Sequence, residues 1–211
     1  IWLPFQECTG CTEAILRSHA PTLESLIFDS ISLDYQHTIM AAAGDQAERS
    51  RHDAMRDNKG QYLLLVDGSV PLGNKGYSTI SGQSNVDMLI ESAKDAAAIV
   101  AIGTCASFGG IPKANPNPTG AVPVSSIITD KPIINVSGCP PLPIAITAVL
   151  VHYLTFNRLP ALDELKPIES GHPCLGCSEP DFWDHGSFYQ SLFPWERYKA
   201  KPGAGKGGPN H

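Results

Sequence analysis

The sequence has no apolar run long enough to cross a lipid bilayer, and charged residues make up only 17% of its 211 residues. Basic residues are in the minority, because 15 Lys and Arg stand against 21 Asp and Glu, a formal net charge of −6. Nucleic-acid binding depends on a basic surface, so we expect no nucleic-acid partner and no transmembrane segment in this chain. The low charge content suggests that a protein partner covers part of the surface.

Six cysteines stand out against this background. They occur as two C-x-x-C pairs and two single residues: Cys8 and Cys11, Cys105, Cys139, and Cys174 and Cys177. A chain of this length does not need disulfides to fold, and each of the first four cysteines lies in a Gly- or Pro-containing loop directly after an apolar run. Disulfide frameworks show no such preference, so we expect these four thiols to form a site.

Apolar runs alternate with helical periodicity over most of the chain, which predicts an α/β fold with a parallel sheet covered by helices on both faces. The predicted strands are the opening apolar run and residues 26–33, 61–68, 98–102 and 132–136. The predicted helices are 12–19, 38–57, 85–97 and 143–155, with a short one at 124–128. The stretch 70–83 is predicted to be a long loop, and the periodicity ends beyond Leu165.

The first four cysteines are predicted to converge, because the carboxyl ends of parallel strands lie along one edge of a sheet. Four thiolates suit a [4Fe–4S] cluster or a tetrahedral zinc ion. Structural zinc sites usually draw ligands from two nearby knuckles, which favours the cluster. A single cysteine at such a position is more often a buried apolar thiol, but four at corresponding positions indicate a site. Three glycines beside them should give the backbone room to approach: Gly10, Gly103 and Gly138.

Several motifs, in order along the chain, resemble the small subunit of [NiFe]-hydrogenases, especially its respiratory, hydrogen-uptake members. They are Glu7-Cys8-Thr9-Gly10-Cys11-Thr12-Glu13, Gly103-Thr104-Cys105-Ala106, Gly109-Gly110, Asn117-Pro118-Thr119-Gly120, Gly138-Cys139-Pro140-Pro141, and the stretch from Gly171 to Phe182 that contains Cys174 and Cys177. The resemblance covers most of the chain. It implies a flavodoxin-like sheet domain over residues 1–165, a short irregular remnant of an iron–sulfur region over 166–198, and a flexible tail over 199–211.

The resemblance also implies a function in electron transfer. A separate large subunit would carry the nickel–iron centre and the hydrogen chemistry, so no catalytic residue is expected in this chain. Cys8, Cys11, Cys105 and Cys139 would bind the proximal [4Fe–4S] cluster. Oxygen-tolerant members have extra cysteines where Gly10 and Thr12 stand here, so a plain cubane and an oxygen-sensitive enzyme are expected.

Two glutamates and two aromatic residues lie close to Cys8 and Cys11 in the sequence. Glu7 and Glu13 lie near the cluster by sequence and could help proton movement, although a solvated or capping carboxylate is the more usual role for Glu13. Trp2 and Phe5 are expected at the interface with the large subunit, with core packing as the alternative. The electron acceptor would be a membrane cytochrome b or another redox protein, and the family setting is the periplasm or the periplasmic face of the membrane.

The C-terminal region departs from the family pattern. Relatives hold a medial [3Fe–4S] cluster and a distal [4Fe–4S] cluster there, and Cys174 and Cys177 match two of the three medial ligands. The third medial cysteine and the distal ligands have no counterpart in this sequence, and His172 does not match the distal histidine. We expect that a stretch carried by relatives is missing between Lys166 and Pro167.

Four other interpretations remain open. A cluster-bearing subunit of a respiratory quinone oxidoreductase shares this fold, but it places two adjacent cysteines in its first loop. A flavin-binding flavodoxin needs a Ser/Thr/Gly phosphate loop where this chain has thiols. A zinc-stabilised interaction domain would be separated by iron and sulfide analysis. A thiol–disulfide oxidoreductase using Cys8 and Cys11 would leave Cys105 and Cys139 unexplained.

Overall fold

The computed structural model describes residues 1–160, an α/β domain whose elements are numbered here in chain order. The strands are β1 (Trp2–Pro4), β2 (Leu63–Asp67), β3 (Val70–Pro71), β4 (Thr79–Ile80), β5 (Gln83–Ser84), β6 (Ala98–Ile102), β7 (Ala121–Val122) and β8 (Ile133–Val136). The α-helices are α1 (Gly10–Leu16), α2 (Leu23–Ser25), α3 (Gly44–Asp57), α4 (Asn85–Ala93), α5 (Gly103–Phe108), α6 (Gly110–Lys113) and α7 (Pro143–Phe156). The boundary near residue 165 and the segments 166–198 and 199–211 lie outside the described residues.

A parallel four-stranded sheet forms the centre of the domain, in the order β1-β2-β6-β8. Every residue of β6 is buried, as the continuous apolar run at 98–102 predicts for a central parallel strand. The strands predicted near residues 1–5, 61–68, 98–102 and 132–136 are all present. The predicted α/β class with a parallel sheet is therefore confirmed.

Helices cover both faces of this sheet because alternate strand residues point in opposite directions. One face packs against α3 and α4 in a single apolar cluster that includes Leu3, Leu64, Val66, Ile99, Ala54 and Leu89. Leu65 and Asp67 alternate with these residues and face the other side, where the Thr12 hydroxyl of α1 donates a hydrogen bond to Asp67. α1 in turn packs against α7.

The predicted second strand, residues 26–33, is wrong. The Thr22 side chain accepts a hydrogen bond from the Ser25 N–H at 3.1 Å and starts α2, which continues as a π-helical turn over Leu26–Ser30. Within that turn only Leu26 is buried, and Phe28 is 80% exposed. The local cap therefore overrides the apolar alternation, and the extended chain that follows meets the sheet through one bond, from Trp2 N–H to the Tyr35 carbonyl at 2.8 Å.

Other predicted bounds also change. α1 spans Gly10–Leu16 and not 12–19, and the short helix predicted at 124–128 is a 3-10 turn over Val124–Ser126. α3 begins at Gly44 and not at residue 38, and α4 ends at Ala93 and not at residue 97. The predicted long loop at 70–83 contains β3 and the β4–β5 hairpin. Within residues 1–160, no helix combines the length and apolarity that crossing a membrane requires.

A fully buried arginine ties α3 to α4 and β5. Arg51 donates to Glu48 at 2.9 Å, to Glu91 at 3.1 Å, to the Ser92 hydroxyl at 3.0 Å and to the side-chain amide oxygen of Gln83 at 3.0 Å. Its side chain is 0% exposed, so these partners replace the water that the guanidinium gives up. A buried charge of this kind is tolerated only while its partners remain in place.

We expect Arg51→Met to lower the free energy of unfolding by about 3–5 kcal/mol, because it leaves the partly buried Glu48 carboxylate and the buried Ser92 hydroxyl without their cation. Arg56→Met on the same helix is the matched control. Arg56 pairs with Asp53 and Asp57 on the surface, where solvent screens the charges, and we expect little change. Denaturant unfolding of both variants checks this, and equal losses in the two would contradict it.

Candidate metal centre

The first four cysteines of the chain lie at the carboxyl ends of β1, β6 and β8, and they are called the cysteine quartet below. Cys8 lies in the turn after β1 and is exposed, whereas Cys11 is buried in the first turn of α1. Cys105 lies in α5 directly after β6, and Cys139 lies in the loop after β8; both are half-buried. Two of the thiols thus come from the first turns of short helices and not from loops.

The quartet shares one electrostatic environment. Burial and, after it, the charges of the nearby Cys139 and Cys8 raise the pKa of Cys105 to about 12. Burial and then Cys8 raise the pKa of Cys139. All four thiols are free of disulfides. Topology has therefore brought together cysteines that are more than one hundred residues apart in sequence.

The most buried thiol, Cys11, has its pKa raised strongly, first by burial and then by the charges of Asp67, Cys105, Glu7 and Cys139. Thiols in such a setting do not ionise alone, because each new thiolate adds to the negative charge already present. Metal binding requires thiolates, so cations must supply the compensating charge and displace the protons.

Glycines keep space open beside three of the sulfurs. Gly103 has φ +81° and Gly110 has φ +62°, and a Cβ on them would overlap the Sγ atoms of Cys11 and Cys105 respectively. A Cβ on Gly10 would lie 3.2 Å from the Sγ of Cys8. Gly110 belongs to the Gly109-Gly110 motif, and only the structure shows how closely it approaches Cys105. At Gly138 a Cβ would instead collide with the following Pro-Pro turn.

Two hydrogen bonds connect Thr104 and Gly138 at the site, one in each direction. The Thr104 N–H donates to the Gly138 carbonyl at 2.8 Å, and the Gly138 N–H donates to the Thr104 hydroxyl at 3.2 Å. Each residue immediately precedes a cysteine of the quartet. These two hydrogen bonds therefore fix the ends of β6 and β8 relative to each other. The periodicity of the sequence does not indicate them.

The two glutamates of the opening motif lie in different environments. Glu7 is half-buried, and burial raises its pKa, while its Oε2 accepts a hydrogen bond from the Thr9 N–H. Its charge also raises the pKa of Cys11 and Cys105, so it lies close to the quartet. Glu13 is exposed and pairs with Arg17 one turn along α1, at 3.0 Å.

Trp2 and Phe5 are interior residues, with only 1% and 8% of their surfaces exposed. The indole N–H of Trp2 donates to Asp67 at 3.0 Å, which anchors β1 to β2. Core packing therefore replaces the interface position expected for these two residues. Cys174 and Cys177 lie outside the described residues.

A family model and several known proteins are similar to this chain. The family described as NADH ubiquinone oxidoreductase, 20 Kd subunit, matches residues 8–153. The uptake hydrogenase small subunit of Azotobacter vinelandii is 36% identical over 258 residues, which covers 91% of this chain and 72% of the relative. The hydrogenase-2 small chain of Escherichia coli K12 is 46% identical over 165 residues, covering 78% of this chain and 44% of the relative.

Solved structures show the same relationship. A Ni-Fe-Se hydrogenase from Desulfomicrobium baculatum has a chain that superimposes with a TM-score of 0.73 and 32% identity. The match covers 78% of this chain but only 66% of the solved one, so this chain spans just under two thirds of that neighbour. Fold and sequence agree: the chain belongs to the family of hydrogenase small subunits, whose members are the electron-transfer subunits of [NiFe]-hydrogenases.

Proposed function

We propose that the cysteine quartet binds one [4Fe–4S] cluster, and that the chain relays electrons between the nickel–iron site of a separate large subunit and an external acceptor. The observation that carries the proposal is the arrangement of four free thiols, supplied by three parallel strand ends, in one electrostatic environment. When bound, such a cluster accepts and releases single electrons.

The residues around the quartet fit this group. Cys11 is buried, and Cys105 and Cys139 are half-buried, so the protein shields these ligands from water. Gly103 and Gly110 have no side chain to fill the space beside the sulfurs. Iron supplies the positive charge that four thiolates next to Glu7 and Asp67 require.

A single zinc ion fits less well. It needs all its thiolates about 2.3 Å from one point. Among residues 1–160, no three His, Cys, Asp or Glu side chains form a group that could hold one metal ion. A cubane is larger and holds its ligands further apart, which suits a quartet spread over three strand ends.

A large-subunit partner is the second part of the proposal. Relatives are named small subunits or small chains, which implies a larger companion. Exposed apolar side chains follow Cys105 and Cys139 within six residues along the chain: Leu142 and Ile111 are both 52% exposed, and Ile144 is 43% exposed. An apolar border around a redox site supports its burial against another protein, which would shorten the electron path.

Further clusters and the cellular setting complete the proposal. The alignment with the Azotobacter relative extends over 258 residues, more than the 211 of this chain, so the relative has residues without a counterpart here. This supports a missing stretch that would carry medial and distal ligands, with Cys174 and Cys177 as medial ligands. The family expectation of a periplasmic site and a cytochrome-type acceptor is part of the same proposal.

Iron and acid-labile sulfide analysis of the anaerobically purified complex tests the proposal. We expect about four irons and four sulfides per chain if the quartet holds the one cluster, and about eleven irons if a medial [3Fe–4S] and a distal cubane are present too. One zinc per chain without sulfide would overturn the cluster assignment.

A further inference from the structure

One strand end at the metal centre carries a carboxylate where its neighbours carry thiols. Of the four parallel strands in the described sheet, β1, β6 and β8 lead into cysteines of the quartet, whereas β2 ends at Asp67. β2 lies between β1 and β6, so Asp67 occupies the middle of the edge from which the quartet arises.

Asp67 is completely buried and accepts hydrogen bonds from β1 and α1. Its Oδ1 accepts from the Trp2 indole N–H of β1 at 3.0 Å, and its Oδ2 accepts from the Thr12 hydroxyl of α1 at 3.1 Å. The Thr12 hydroxyl accepts in turn from the Gln36 side-chain amide at 2.8 Å. All four residues are at most 1% exposed, so the network is closed to water.

This network fixes the first turn of α1, which contains Cys11. No side chain caps that turn, because Thr9 at the N-cap has φ +69° and makes no side-chain capping bond. Thr12, directly after Cys11, is therefore the residue through which the turn is anchored to the sheet.

A carboxylate is a costly choice for this position. Burial and the neighbouring Glu7 raise the pKa of Asp67 to about 7, against the two hydrogen bonds that lower it. An apolar side chain at the end of β2 would avoid the desolvation of a carboxyl group. A buried polar group whose hydrogen bonds are all made, in spite of the cost of desolvation, is typical of a position that fixes the arrangement of the elements around it.

We propose that Asp67 is a positioning residue for the quartet: by holding Thr12 and Trp2, it sets the position of Cys11 and thereby the geometry of the bound cluster. The inference rests on the proposed function, because it needs a cluster at the quartet. It assigns Asp67, Thr12 and Trp2 a role outside the ligand set.

The test compares variants of the complete complex by the EPR spectrum of the reduced proximal cluster and by the rate of iron release to a chelator. We expect Thr12→Val, which removes the hydroxyl at nearly constant volume, to alter the spectrum and to speed iron release between about 10-fold and 100-fold, the range for outer-shell partners of metal ligands. Thr12→Ser keeps the hydroxyl and should reproduce the wild-type spectrum and rate. Asp67→Asn replaces one of the two acceptor oxygens by an NH2 group, so it can accept from only one of the two donors. We expect it to change the spectrum and the iron release in the same way as Thr12→Val.

Arg51→Met separates positioning from general loss of stability, because it destabilises the same domain through a network that does not touch the quartet. We expect it to leave the EPR spectrum unchanged. If Thr12→Val fails to fold, Trp2→Phe removes only one donor to Asp67 and carries the same expectation. Wild-type spectra and iron release in these site variants would overturn the inference, whereas a wild-type protein without any iron–sulfur signal would overturn the proposed function itself.

Discussion

Replacing Cys139 by serine is expected to remove most of the iron that we propose the quartet binds. It should also lower hydrogen-dependent reduction of an artificial acceptor by the complex by more than about 100-fold, the upper end of what loss of an outer-shell partner costs. A serine hydroxyl does not ionise in this environment, where burial already raises the pKa of the more acidic thiol. The remaining three thiolates would hold an incomplete set of iron atoms. Iron analysis and turnover assays on the complex measure both effects.

Cys8→Ser and Cys174→Ser make this experiment specific. Cys8 belongs to the quartet, and its replacement should give the same loss as Cys139→Ser. Cys174 lies outside the quartet in sequence, and its replacement should leave the proximal signal in place. Unchanged iron and turnover in the Cys8 and Cys139 variants would refute the ligand assignment.

The second large effect is expected from one methyl group at Gly103. Gly103→Ala forces a Cβ onto the Sγ of Cys11 and places a non-glycine residue at φ +81°. The left-handed backbone costs about 1–2 kcal/mol, and overpacking adds about 1–3 kcal/mol. We therefore expect a marked fall in the free energy of unfolding together with loss of iron, because Cys11 must move to relieve the contact.

Gly82→Ala is the matched control. Gly82 has nearly the same backbone angle, φ +79°, in the turn between β4 and β5, but a Cβ there meets nothing within 4 Å. It should therefore lose only the backbone contribution of about 1–2 kcal/mol and keep its full iron content. Similar stability and similar iron content in the two variants would show that the space beside Cys11 is not needed.

Local patterns predicted the central sheet well. The strand Ala98–Ile102 is the clearest case, because a run of five apolar residues is typical of a parallel strand that is buried on both faces. The helix from Pro143 was also visible, since proline is favoured at the first turn and cannot continue a strand interior. The failure at residues 26–33 has an equally local origin, because the Thr22 cap starts a helix within an alternating apolar pattern.

The sequence by itself determined the parallel architecture and the placement of Cys8, Cys11, Cys105 and Cys139 at strand ends, because both follow from short patterns and from the rule that parallel strands end on one edge. Only the tertiary structure decided how the site is supported. Asp67 lies near the end of the predicted strand 61–68, yet it accepts hydrogen bonds from Thr12, which lies 55 residues away, and from Trp2, which lies 65 residues away. These hydrogen bonds join segments that are far apart in the chain, so the local periodicity of the sequence cannot predict them.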